Sequence, residues 1–218
     1  MIVNERVVSY IHSLEHSNGE FLDGLEAYAK EHDVPIIRKE AESFLKVLLA
    51  VHKPAALLEL GTAIGYSAIF MNTCLERKAK IVTIENYEPR EIIARENIKR
   101  AGMEQEIELL FGDAMELMAK MKAESFDFIF MDAAKAQYIH FLPEAVRLMK
   151  PGGVLVADNV LQEGDLVESR FAVARRVRTI HARMREFLYE VKNRDDLITS
   201  VVPIGDGMTV SVKRGAES

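Results

Sequence analysis

The sequence predicts an α/β fold of the doubly wound, Rossmann-like kind: a mostly parallel seven-stranded sheet with an antiparallel last strand and extra helices at the N-terminus. Three observations carry this. From Ala55 onward, short apolar runs alternate with amphipathic stretches without interruption. The first run, Leu57-Leu58-Glu59-Leu60, stops at a glycine turn, Gly61-Thr62-Ala63-Ile64-Gly65, and a helical spacing begins at Tyr66. The later runs end in acids or amides, and ligands of such sheets bind beyond the carboxyl ends of the strands.

Residues 1–53 read as helices. Val7, Tyr10, Ile11 and Leu14 share one face, then Leu22, Leu25, Tyr28 and Ala29, then Phe44, Leu45, Leu48 and Leu49. Pro35 disfavours helix at Val34 and predicts an extended link there. This segment forms a helical cap on a core spanning 54–218, with one structural domain in all. Strands are expected near 55–60, 80–85, 106–110, 126–132 and 153–158, and helices near 65–77, 88–101, 114–122 and 136–149. A further helix is expected near 169–190, with Val173, Val177, Ile180, Met184 and Leu188 towards the sheet. Strands near 197–203 and 207–213, separated by Gly205-Asp206-Gly207, predict a closing antiparallel hairpin.

Composition narrows the class. At 218 residues, 49% hydrophobic and 28% charged, the chain has the make-up of a globular domain. No apolar run approaches the ~18 residues that cross a bilayer, and the first residues lack the basic and apolar regions of a signal peptide, so a cytoplasmic location is expected. Cys74 is the only cysteine, which excludes an internal disulfide and a thiolate zinc cluster. A net charge of -6 argues against indiscriminate nucleic-acid binding and leaves room for a local basic patch.

The glycine spacing bears on the cofactor. A dinucleotide turn reads G-x-G-x-x-G, its second glycine letting the backbone touch a pyrophosphate, and here that position is Ala63. Gly61 and Gly65 leave a wider turn, and Glu59 sets a carboxylate where a phosphate is repelled and an aminoacyl cation is attracted. Glu85 ends the second strand, the place where a ribose diol is held. Asp113, after the third strand, can cap the next helix and accept an adenine amino group. Together these favour S-adenosylmethionine over NAD, the alternative being a buried turn glycine and helix-capping acids.

The fourth and fifth strands end in Asp132 and in Asp158-Asn159. Neighbouring parallel strands bring these ends together, and three oxygen donors suit a hard cation such as Mg²⁺, with Mn²⁺ or Ca²⁺ as possible substitutes. Each acid alone could equally be a helix cap or turn residue. Lys135 lies three residues after Asp132; beside a divalent cation its ammonium is pushed towards the neutral form and could take a proton from a substrate hydroxyl. A surface lysine paired with Asp132 is the alternative.

With these stretches in view, the chain resembles the class I S-adenosylmethionine-dependent, metal-dependent O-methyltransferases, the group of the catechol and caffeoyl-CoA enzymes. The likeness covers nearly the whole chain and is strongest to the bacterial branch acting on 5-hydroxyuridine of tRNA. It is carried by Leu25–Ala29, Val34-Pro35-Ile36, Gly61–Ala68, Asp132-Ala133-Ala134-Lys135, Asp158-Asn159-Val160-Leu161 and Pro203–Gly207. The resemblance implies cofactor contacts at Ile37, Glu59, Gly61, Ser67, Glu85, Asp113 and Asp132, metal ligands Asp132, Asp158 and Asn159, and Lys135 with Asp132 as catalytic residues. The catechol branch has bulky residues between its Asp and Lys; Ala133 and Ala134 leave a roomier mouth. A base splayed from a tRNA anticodon loop would fit there, its 5-hydroxyl and O4 chelating Mg²⁺ as catechol oxygens do. Arg175, Arg176, Arg178, Arg183 and Arg185 are the candidate phosphate contacts, although a solvated amphipathic helix has the same pattern. A small catechol-like or phenolic acceptor is the alternative substrate. Apolar residues on the N-terminal helices suggest a homodimer.

Overall fold

The protein, described from a computed structural model, is defined over residues 3–75 and 79–215. Its strands run in the order β3-β2-β1-β4-β5-β7-β6 in one seven-stranded sheet, the strand number and α/β class expected from the sequence. The chain divides into two compact units, Arg6–Ala114 and the chain from Met115 onward.

The first unit carries α1 (Glu5–His12, all but its first residue), α2 (Glu20–Glu31) and α3 (Lys39–His52), then β1 (Ala56–Leu60), α4 (Tyr66–Thr73), β2 (Lys80–Glu85), α5 (Glu88–Arg100) and β3 (Ile107–Phe111). The three strands are parallel, with Glu59 opposite Thr83 and Glu85 opposite Phe111. Leu57, Leu58 and Leu60 of β1 are fully buried, as expected for a central strand covered on both faces. Leu45 and Leu49 of α3 are equally buried, and each such side chain contributes roughly 1.5–3 kcal/mol. Pro89 stands in the first turn of α5, where its missing N–H costs nothing. The helix expected over 65–77 ends at Thr73, and its last two expected positions lie outside the described residues.

The second unit holds α6 (Ala114–Lys120, all but its first residue), β4 (Phe126–Met131), α7 (Tyr138–Leu148), β5 (Met149–Ala157), α8 (Arg178–Asn193), β6 (Leu197–Val202) and β7 (Met208–Lys213). β4 and β5 are parallel. β7 runs antiparallel to both β5 and β6, so the hairpin forms with its second strand inserted beside β5. Phe128, Phe130, Leu155, Val156, Met184 and Phe187 form this unit's core, with Tyr138 packed edge-on against Phe187 at 5.5 Å between ring centroids.

Two expectations need correction. β5 begins at Met149 rather than near 153, because a register shift between Phe126 and Phe128 takes up the Pro151-Gly152-Gly153 stretch that reads as a turn. A side chain at 153 would meet the Met149 Cγ at 2.6 Å, so glycine is required there. The helix expected near 169–190 starts only at Arg178, after a 3-10 turn at Arg175–Val177. Ser169 and Ala172 close a turn of their own, and the Arg178 guanidinium donates to the carbonyls of Phe171 and Val173, which fixes that stretch outside a helix. The buried stripe is accordingly His181, Met184, Phe187 and Val191, with Ile180 and Leu188 half-buried.

Candidate active site

Two groups of candidate residues stand at strand ends, one in each unit. In the first unit, Gly61 (φ 97), Ala63 (φ 47) and Gly65 (φ 83) bend the chain from β1 into α4. Left-handed backbone is natural for glycine, and the non-glycine Ala63 is held in it by its neighbours. The Ala63 N–H donates to Glu85 Oε2 at 2.8 Å, and the Asn97 side chain donates to the Ile64 carbonyl at 2.9 Å. Glu85 Oε1 also accepts the N–H groups of Asn86 and Tyr87 at 3.0 Å. Its carboxylate is therefore fixed in orientation at the end of β2, with lone-pair capacity left for a diol.

Glu59 is fully buried and accepts the Thr83 hydroxyl at 2.5 Å, while Thr83 and Thr62 share a 2.6 Å hydrogen bond. A cross-strand polar chain thus runs under the turn. Ser67 lies in the first turn of α4, where backbone N–H groups lack intrahelical partners. Ile37 is buried just before α3, and Asp113 is exposed just before α6. The Gly112 N–H donates to the Glu85 carbonyl at 2.9 Å, which brings the segment of Asp113 to the end of β2.

In the second unit, Met131 of β4 pairs with Ala157 of β5. One step further, Asp132 and Asp158 leave neighbouring strands side by side, and such strands stand roughly 4.8 Å apart. The Asp158 N–H donates to the Met131 carbonyl at 3.0 Å, so the pairing persists to the acids themselves. Asn159 follows at φ 62, a left-handed position that Asn tolerates, and its N–H donates to Asp158 Oδ1 at 2.7 Å. Lys135 opens a 3-10 turn, Lys135–Gln137, leading into α7.

Burial pushes the Asp132 carboxyl up to about 6, with Lys135 opposing the rise. Burial, then the charge of Asp132, push Asp158 up to about 7. Two acids that resist joint ionisation are what a bound cation relieves. Among the described residues no three His, Cys, Asp or Glu side chains form a metal-binding group. The expected donor set, two carboxylates and the Asn159 amide, consists of oxygen ligands that would fit Mg²⁺ and not zinc.

Two residues here escaped sequence reasoning. The buried Tyr138 hydroxyl lies 3.1 Å from the carbonyls of both Met131 and Asp158, clasping the two strand ends, yet in sequence it is one apolar position of a helix. Asp206 is buried in the hairpin turn and its charge also raises Asp158. Its turn is held by the N–H groups of Val160 and Leu161, which donate to the Gly207 and Asp206 carbonyls. The Gly-x-Gly spacing signalled the turn but not its place beside the acids.

The arginines are placed unevenly. Arg178 donates to Phe171 and Val173 and lies over the Phe171 ring, Arg183 donates to the Ala136 carbonyl at 3.1 Å, and Arg185 donates to the Leu166 carbonyl at 2.8 Å. Arg175 and Arg176 are exposed.

A profile described as O-methyltransferase matches residues 12–214. A catechol O-methyltransferase of Niastella koreensis is 36% identical over 129 residues, 57% of this chain and 58% of that protein. A caffeoyl-CoA O-methyltransferase of Zinnia elegans is 32% identical over 180 residues, 77% of this chain and 71% of that protein. The crystal structure of an O-methyltransferase from Bacillus cereus in complex with SAH superposes with a TM-score of 0.83 at 25% identity, covering 96% of this chain and 97% of that one. The chain belongs to the O-methyltransferase family, the class I S-adenosylmethionine-dependent methyltransferases of catechol and caffeoyl-CoA type.

Proposed function

We propose that the protein transfers a methyl group from S-adenosylmethionine to the 5-hydroxyl of 5-hydroxyuridine at the wobble position of tRNA, with Mg²⁺ assistance, giving 5-methoxyuridine. S-adenosylmethionine supplies a methyl group on a positive sulfur, and Mg²⁺ held by Asp132, Asp158 and Asn159 would lower the pKa of an acceptor hydroxyl beside it. Glu85 would orient a ribose diol, and Asp113 would accept an adenine amino group. Lys135 Nζ takes the hydroxyl proton and returns it to solvent. Tyr138 keeps the two acids in register, so positioning supplies much of the rate.

The observation that carries the RNA reading is the Arg183–Ala136 hydrogen bond. It fastens α8, whose approach holds the exposed Arg175 and Arg176, to the segment of Lys135, and so sets basic side chains in the same unit as the acids. Ala133 and Ala134, small residues between Asp132 and Lys135, would leave room for a large substrate. A second reading, a small catechol-like acceptor, is favoured by the catechol and caffeoyl-CoA names of the relatives. Labelled cofactor offered with hydroxyuridine-containing tRNA or with catechol, followed by nucleoside mass spectrometry, separates them. Strong catechol turnover with silent tRNA reverses the choice.

A homodimer is part of the proposal. α1 buries none of its residues, and Val7, Tyr10 and Ile11 are exposed on it, with Leu14 exposed just after its end. No helix among the described residues is long and apolar enough to cross a membrane.

A further inference from the structure

A buried carboxylate is retained only where its oxygens are met by donors. Glu42, on α3, is 5% exposed and meets donors from three directions. Its Oε2 accepts the Tyr66 hydroxyl at 2.5 Å; its Oε1 accepts the Asn18 amide at 2.5 Å and faces Lys39 Nζ at 3.4 Å. Lys39 also pairs with Glu26 of α2 at 2.6 Å. Asn18 is itself held by its N–H to Asp23, which also takes the Ser17 hydroxyl. The loop before α2, α2 itself and α3 therefore converge on one phenol.

That phenol belongs to the first residue of α4. The entry of the glycine turn is pinned by Glu85 and Asn97, but its exit passes through Gly65, whose backbone torsions are soft. Tyr66, 1% exposed and stacked on Phe70, is the next residue, and its hydroxyl bond fixes the direction in which α4 leaves the turn. The unpartnered N–H groups of the first helical turn, those of Tyr66, Ser67 and Ala68, point wherever that direction sends them.

We infer that Glu42 and Tyr66 are positioning residues for S-adenosylmethionine, the pair through which the N-terminal helices aim the start of α4 at the cofactor. This rests on the family's cofactor and not on the nature of the acceptor or the metal. The test is therefore binding of S-adenosylhomocysteine in calorimetry, which needs neither, so its failure is distinct from failure of the tRNA reading.

Tyr66→Phe removes one hydroxyl from a site that stays filled. Its dissociation constant for S-adenosylhomocysteine rises about tenfold, the worth of one hydrogen bond to a charged group. The KM for S-adenosylmethionine rises with it, while the acceptor KM stays within about twofold. Glu42→Ala gives the same loss, Glu42→Gln keeps an acceptor oxygen and recovers most of the affinity, and the double Tyr66→Phe/Glu42→Ala variant is no worse than either single one. If Glu42→Ala does not fold, Asn18→Ala serves, with a loss of about threefold. Parental affinity in Tyr66→Phe or Asn18→Ala, or losses that add up in the double variant, would overturn the inference and leave the cluster a packing feature.

Discussion

Replacing Asp158 by Asn separates the chemistry of the acids from their contribution to stability. In the metal-free protein the carboxyl of Asp158 is raised from the ordinary 3.8 to about 7, first by burial and then by Asp132. A carboxyl whose folded pKa lies above its unfolded value is compatible with the fold while protonated, and ionising it in place costs stability. The cost is absent below pH 3.8, grows as pH rises, and is complete above about 7. At ~1.4 kcal/mol per pH unit it reaches about 4 kcal/mol, of which about 3 kcal/mol accrues between pH 5 and pH 8. In a chain of this length each kcal/mol moves Tm by about 2–4 °C. Calorimetry in chelator should therefore show the parent losing roughly 6–12 °C more than Asp158→Asn between those pH values. Saturating Mg²⁺ at pH 8 should raise Tm of the parent and leave the variant unmoved, and methyl transfer should be lost although S-adenosylhomocysteine still binds. A variant that is less stable than the parent in chelator at pH 8, or that is stabilised by Mg²⁺ to the same extent, would refute the assignment of Asp158 as a strained metal ligand.

Other perturbations reach other parts of the site. Lys135→Gln should lower kcat about 10²–10⁴-fold with cofactor binding retained, and a parental pH–rate profile in that variant would remove Lys135 as the base. Gly207→Ala adds a Cβ 2.3 Å from the Leu161 Cγ at a φ of +85. It should cost about 1–3 kcal/mol and disturb the segment after Asn159, read as a lower denaturation midpoint together with weaker Mg²⁺ affinity. Exchanging both Arg175 and Arg176 for Ala should lower kcat/KM on tRNA and flatten its salt dependence by about two phosphate contacts, with turnover of any small phenol unchanged.

The elements followed from periodicity and punctuation. The β1–turn–α4 unit was legible because a Pro-free apolar run meets glycines at the spacing that only a wide turn requires, and the adjacency of Asp132 and Asp158 was legible because a parallel sheet brings neighbouring strand ends together. What escaped depends on contacts distant in sequence. The late start of α8 is decided by an Arg178 guanidinium bonding to carbonyls five and seven residues before it, a competition that helical spacing alone does not register. Arg178, Arg183 and Arg185 resemble phosphate contacts in a linear reading, and each also donates to a main-chain oxygen, a contact that spacing does not register. Tyr138 was invisible because its ring obeys the helix pattern while its hydroxyl serves the strand ends.

That last residue bears on why the fold tolerates paired acids at all. Two ionised carboxylates on adjoining strand tips repel each other and would splay the strands, so the sheet must be held from outside the acids. Tyr138 does so through the carbonyls of Met131 and Asp158, one hydroxyl proton being shared between two acceptors at 3.1 Å. The clasp acts on the main chain and leaves the carboxylate oxygens available to a cation. Tyr138→Phe keeps the ring packed on Phe187 and deletes only the clasp. It should weaken Mg²⁺ binding several-fold while cofactor affinity stays at the parental value. If metal affinity were unchanged in this variant, the strand pairing itself would suffice to align the acids, and the tyrosine would be a core residue with a satisfied hydroxyl.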